Sequence, residues 1–159
     1  MEAQFYYRNP AAPAPNNPPS IGVTALIRDG SGSLLLEKRA DSERWAFIGG
    51  ALHGDESLTD ALIREVKEET GLTVRSIRLF GTFSDPTRII AFPDGKVKRI
   101  LTIAYEVEVE PFERLVISEE SRELAFVPED RLGELPVAET HLPILNAYRN
   151  REKDRVVLE

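Results

Sequence analysis

The chain contains no cysteine. Disulfides, thiolate metal centres, iron–sulfur clusters and cysteine nucleophiles are therefore all excluded. Histidine is scarce, at His53 and His141 only, and neither stands in an evident nucleophile–base arrangement. Long apolar runs are missing too. Segments such as Leu34-Leu35-Leu36 and Ala46-Phe47-Ile48 fall far short of the ~20 residues that a membrane-spanning helix needs. The opening Met1-Glu2-Ala3-Gln4 has neither the basic nor the apolar region of a secretory leader. The expected location is cytoplasmic, with no membrane partner. Positive charge is in deficit: 20 Lys and Arg against 27 Asp and Glu give a formal charge of −7. That sign opposes the neutralisation of many phosphates, so no nucleic-acid partner is expected.

What is present describes one soluble domain. The chain has 159 residues, 42% apolar and 30% charged, ordinary for a globular protein. A domain of this size buries roughly 70% of its unfolded surface without a covalent staple. Residues 8–20 read RNPAAPAPNNPPS, and their five prolines exclude regular helix or central strand and favour an extended arm. Residues 1–19 are thus a proline-rich arm and 20–159 the domain proper. The arm is either a loose leader or a strap over the domain or a partner subunit. The preceding Phe5, Tyr6 and Tyr7 suit the strap, because such side chains seldom stay in water.

Patterning gives the elements. Ile21, Val23, Ala25 and Ile27 share one face at period two, so Ile21–Arg28 is a strand. Asp29-Gly30-Ser31-Gly32-Ser33 is turn chemistry, and Leu34–Arg39 reads as the return strand of a hairpin. Trp45–Leu52, broken by Gly49-Gly50, is irregular strand. Leu58–Thr70 is the clearest helix: Ser57 and Asp60 form a capping box, Leu58, Leu62 and Val66 an apolar stripe, and Gly71 a left-handed end. Strands follow at Val74–Phe83 and Arg99–Val109, a short one at Leu124–Val127, and a closing helix at His141–Arg151. The order strands, helix, strands, helix implies an α/β fold with a mixed sheet between helices.

Glu65, Glu68 and Glu69 stand at i, i+3 and i+4, on one helix face. Two of them lie in the last turn, at the negative end of the helix dipole. Carboxylates about 6 Å apart repel by roughly 3 kcal/mol at an effective dielectric of about 20. A hard divalent cation would offset both penalties. A solvated face paired with Arg64 and Lys67 is the plainer alternative.

The surrounding residues favour the cation. Residues 50–72, GALHGDESLTDALIREVKEETGL, follow the pattern G, five residues, E, seven residues, R-E-U-x-E-E-x-G-U, where U is aliphatic. Its chance occurrence in this chain is on the order of 10⁻⁷. This segment is identified as the signature box of the Nudix hydrolases, and the order of elements over roughly 20–150 resembles the Nudix fold.

The resemblance implies hydrolysis of a nucleoside diphosphate linked to another moiety, with Mg²⁺ or Mn²⁺ at the pyrophosphate. It implies Glu68 and Glu69 as main metal ligands and Glu65 as a third ligand or the base that activates water. Arg64 would hold these carboxylates, Glu56 would be an outer metal ligand or a support beside the metals, and the Gly49 carbonyl would be a further ligand. Gly50 would let the main chain pass close to the metal centre. A homodimer is implied by resemblance alone.

The match has departures. Ile48 stands where the family usually has proline, and His53-Gly54-Asp55-Glu56 replaces the usual entry sequence. His53 is either a local hydrogen-bonding residue or a substrate contact. Beyond the box, Gly81–Arg88 and Phe92–Gly95 resemble a loop of a bacterial Nudix subgroup. There Phe83 and Phe92 would stack on a base and Arg88 would meet a phosphate, or the aromatics belong to the core of a turn-rich connector. Lys38 and Arg39 are candidates for substrate phosphates or a solvated strand end. Glu119, Glu120 and Glu123 form an acidic loop, either solvated or supplying a further ligand. The Ser84–Arg88 loop tips the expected substrate toward ADP-ribose or another nucleotide sugar. The alternative is an oxidised or ordinary nucleoside triphosphate, and a non-catalytic nucleotide sensor is a third reading.

Overall fold

A computed structural model describes residues 2–159. Nine strands form one mixed sheet: β1 (Gln4–Tyr6), β2 (Ser20–Ile27), β3 (Leu34–Arg39), β4 (Trp45–Ala51), β5 (Val74–Phe83), β6 (Ile89–Ala91), β7 (Val97–Val109), β8 (Ser121–Val127) and β9 (Val157–Leu158). The helices are α1 (Leu58–Thr70) and α2 (Leu142–Arg149), with short 3-10 segments at Glu129–Glu134 and Glu139–His141 before α2. The long β7 is the spine: it runs parallel to β2 and antiparallel to β5 and β6.

Both faces of the sheet are covered. One core gathers Leu26, Leu34, Leu36, Phe47, Phe80 and Phe83 with Ile144, Leu145 and Tyr148 of α2. The other gathers Val23, Ala25, Ile27, Leu35 and Ile48 with Ala61, Leu62 and Val66 of α1. Strands buried on two faces carry apolar residues at successive positions, which is why the triple leucine of β3 feeds both cores. The expected mixed sheet between helices is therefore the fold.

The expected hairpin does not form. A single isolated bridge, Arg28 with Leu34, joins the residue just after β2 to β3, and β4 lies between the two strands. Phe47 pairs with Leu36 of β3, and the next residue, Ile48, pairs with Ala25 of β2. A short turn joins β2 to β3 in the chain, yet strand pairing is set by which apolar faces reach the two cores.

Helix α1 has the bounds its pattern predicts. Ser57 accepts from the Asp60 N–H at 3.1 Å, and the Asp60 carboxylate answers the Ser57 N–H. Gly71 closes the helix at φ 75°, where a Cβ would be strained. The arm is a strap: β1 pairs with β6, and Ala3 and Phe5 are buried with Ile90 and Ala138. No helix among the described residues is long and apolar enough to cross a membrane.

Candidate active site

Helix α1 lies against β4, and its last two turns face the Gly49-Gly50 pair. Glu65 and Glu69 are buried there. The Gly49 N–H donates to Glu69 Oε2 at 3.2 Å. A Cβ at residue 50 would lie 2.6 Å from Glu65 Cδ and 2.8 Å from its Oε2. The absent side chain of Gly50 is therefore the space that the Glu65 carboxylate occupies.

Arg64 stands among the acids. Its Nη1 donates to Glu65 Oε1 at 2.8 Å and to Glu68 Oε2 at 3.1 Å. Its Nη2 donates to Glu56 Oε2 at 3.0 Å and to the Ala51 carbonyl at 3.2 Å, and its Nε donates to Glu56 Oε1. This guanidinium holds the Glu56 carboxyl down to about 2. Hydrogen bonding to Glu56, then to Glu65, raises Arg64 in turn. Glu69 goes the other way: burial, then the nearby Glu37 and Glu65 carboxylates, pushes it well above the usual carboxylate range. Glu68 lies at the exposed rim of the cluster.

A cavity of about 400 Å³ opens beside these acids. Glu69, Gly49 and Gly50 form one end; Glu37, Arg39, Phe47, Ile90, Phe92 and His141 line the rest. Its volume falls within the range of small-molecule sites. Arg39 is held by Asp41 through Nε at 2.7 Å and Nη2 at 2.6 Å. His141 stacks on Phe47 with centroids 5.8 Å apart, and its Nδ1 accepts the Phe47 N–H at 3.2 Å. Burial, with Arg88 and Arg39 nearby, pushes His141 down to about 3. The ring is therefore neutral and carries its proton on Nε2.

The residues expected to contact substrate divide. Arg39 and Phe92 line the cavity. Phe83 and Arg88 do not, and this is a correction. Phe83 is 1% exposed and packs on Phe80 in the α2-side core. Arg88 is 0% exposed, and its donors reach the carbonyls of Phe83, Thr140 and Ile100 and Thr102 Oγ1. It ties β5 and β7 to the segment before α2, with four of its five N–H donors taken by the protein interior. His53 is exposed and makes its contacts to Glu56. Lys38 pairs with Glu43. Of the late acidic loop, Glu120 alone lines the cavity.

Glu37 and His141 were missed as site residues. The signal for Glu37 was present: an acid directly after three leucines, in a strand with both faces buried. It is 4% exposed, accepts from the Ser121 hydroxyl, and is raised chiefly by burial. Nothing local marks His141 as a cavity residue, because its neighbours there come from β4.

The donor set fits a hard divalent cation: carboxylate oxygens from Glu65, Glu69 and Glu68, with the room at Gly50 that Glu65 requires. Among the described residues no three acidic or histidine side chains yet converge on one point. Arg64 occupies the space between Glu56, Glu65 and Glu68.

Comparison with known proteins places the chain in a family. The NUDIX domain family model matches residues 18–148. The chain belongs to the Nudix family. Among relatives, it is 37% identical over 86 residues to a MutT-like protein of Streptomyces ambofaciens, covering 50% of this chain and 56% of that one. It is 35% identical over 117 residues to the nucleoside triphosphatase NudI of Escherichia fergusonii, covering 68% of this chain and 82% of that one. The chain thus spans about half the length of the first of these relatives. Among solved structures, a mutator MutT protein of Bacillus halodurans superposes with a TM-score of 0.69 at 25% identity, over 87% of this chain and 86% of that one.

Proposed function

We propose that this Nudix domain hydrolyses a phosphoanhydride bond of a nucleoside triphosphate, using Mg²⁺ or Mn²⁺ held by Glu65, Glu68 and Glu69 with the Gly49 carbonyl. The observation that carries this reading is the position of Glu69, which belongs at once to the acid cluster and to the wall of the nucleotide-sized cavity. A substrate in that cavity places its phosphates beside the carboxylates and its base toward Phe92 and His141.

A divalent cation there supplies charge neutralisation on the phosphates and a water of lowered pKa. The chain does the rest. The Glu65 carboxylate takes the proton of the attacking water. The water oxygen bonds to phosphorus, the bridging P–O bond breaks, and the leaving phosphate keeps the electron pair. Arg64 holds Glu65 and Glu68 in place. Arg39 meets a phosphate, Phe92 stacks on the base, and His141 Nε2 offers it a donor.

The nucleotide-sugar reading rested on the Ser84–Arg88 loop. With Phe83 and Arg88 inside the core, that support is gone. The NudI relative, named a nucleoside triphosphatase and matched over 68% of this chain, supports the triphosphate. The test is a panel of nucleoside triphosphates, ADP-ribose and nucleotide sugars with Mg²⁺ or Mn²⁺, run beside Glu69→Gln. Products from triphosphates that vanish in the variant are expected. Turnover of ADP-ribose alone would overturn the substrate class, and activity unchanged in Glu69→Gln would overturn the metal assignment.

A further inference from the structure

We infer that the amino-terminal arm is part of the nucleotide site and that Phe5 is a positioning residue for Arg39. The inference rests on the proposed function, which places a phosphate at Arg39. Three observations carry it.

First, Arg39 is gripped by the arm. Its guanidinium lies over the Phe5 ring, 5.1 Å from the centroid. Asp41, which takes Nε and Nη2 of the same guanidinium, accepts the Ala3 N–H at its carbonyl, 3.1 Å away. One face of Arg39 is thus fixed by Phe5 and one edge by Asp41. Nη1 is left with no protein partner among the described residues and belongs to a side chain that lines the cavity.

Second, the arm backs a wall of the cavity. Phe5 and Ala3 cluster with Ile90 and Ala138, and Phe92 and Ile100 pack on that cluster. Ile90, Phe92 and Ile100 all line the cavity. Removing Phe5 takes the support from behind the surface on which a base would lie.

Third, the arm is anchored along its length. β1 pairs with β6 through Gln4–Ala91, Phe5–Ile90 and Tyr6–Ile89. Arg8 N–H donates to Thr87 Oγ1 at 3.0 Å. Farther on, Asn16 exchanges bonds with the Val97 backbone at 3.0 and 2.8 Å. The prolines between keep the connection extended and reduce the freedom lost on docking.

An arm that orders Arg39 must, by reciprocity, be ordered further when Arg39 binds a ligand. Phe5→Ala is expected to raise KM for the triphosphate about tenfold, with kcat within about twofold. Phe5→Tyr should restore KM. In an Arg39→Met background the Phe5→Ala change should raise KM by less than it does alone, since the part of its effect that runs through Arg39 is already lost. Hydrogen exchange of the wild-type protein supplies the second readout. A non-hydrolysable triphosphate with Mg²⁺ should slow exchange in residues 3–7, and leave Val157 and Leu158 of β9 unaffected. Unchanged KM in Phe5→Ala, fully additive effects with Arg39→Met, or unaltered exchange in the arm would each overturn the inference. If Phe5→Ala does not fold, the exchange measurement decides alone. Wild-type protein that hydrolyses no nucleotide would instead defeat the proposed function.

Discussion

The Glu65 carboxylate fills the space in which residue 50 would carry a Cβ; a methyl group there would sit 2.6 Å from Glu65 Cδ. Helix and strand are so close that glycine is required for the acid to reach its place. Gly50→Ala should displace Glu65 by about an ångström and lower kcat on the order of 10²-fold. Steady-state kinetics beside a melting curve would check this; kcat within twofold of wild type would contradict the close approach.

Glu69→Gln should leave the metal-free protein as stable as wild type, or more so. It removes a carboxyl that burial and two neighbouring acids disfavour when charged, and its amide oxygen still accepts the Gly49 N–H. The stabilisation conferred by metal should disappear: at 100 times its Kd a ligand adds about 2.7 kcal/mol. Melting temperature against Mg²⁺ concentration, in both proteins, measures the difference.

Arg88→Met tests a buried cation held by carbonyls. Loss of its donors should cost about 3 kcal/mol of stability, because several acceptors lose their partners in the core. Denaturant unfolding would show the loss. A variant with wild-type stability and a steeply raised KM would return Arg88 to the substrate.

His141 sets a pH dependence. Its folded pKa of about 3 lies below the ordinary 6.5, so the unfolded chain takes the proton more readily. Its contribution is present above pH 6.5 and is lost as pH falls toward 3. His141→Gln should flatten the decline of melting temperature from pH 6.5 to 4. Identical declines in the two proteins would show that the ring titrates normally.

The sequence made some of this legible and hid the rest for physical reasons. Local signals sufficed for α1, whose Ser57–Asp60 box, Leu58-Leu62-Val66 stripe and Gly71 end all act within four residues. The fold class followed from element order. The insertion of β4 between β2 and β3 was hidden, because pairing depends on which faces meet two separate cores. Arg88 was hidden too: a cation in a turn-rich loop reads as solvated, and its acceptors come from positions as distant as Thr140. Glu37 and His141 became site residues only when β3, β4 and the segment before α2 came together.

The change of ladder at Phe47 and Ile48 carries a further consequence. One strand thus connects both interiors to the two glycines that follow the switch within it. Trimming a side chain on either interior, such as Leu36→Ala or Leu62→Ala, should therefore misalign the acids before it melts the protein. Catalytic rate would then be a more sensitive gauge of packing than thermal denaturation.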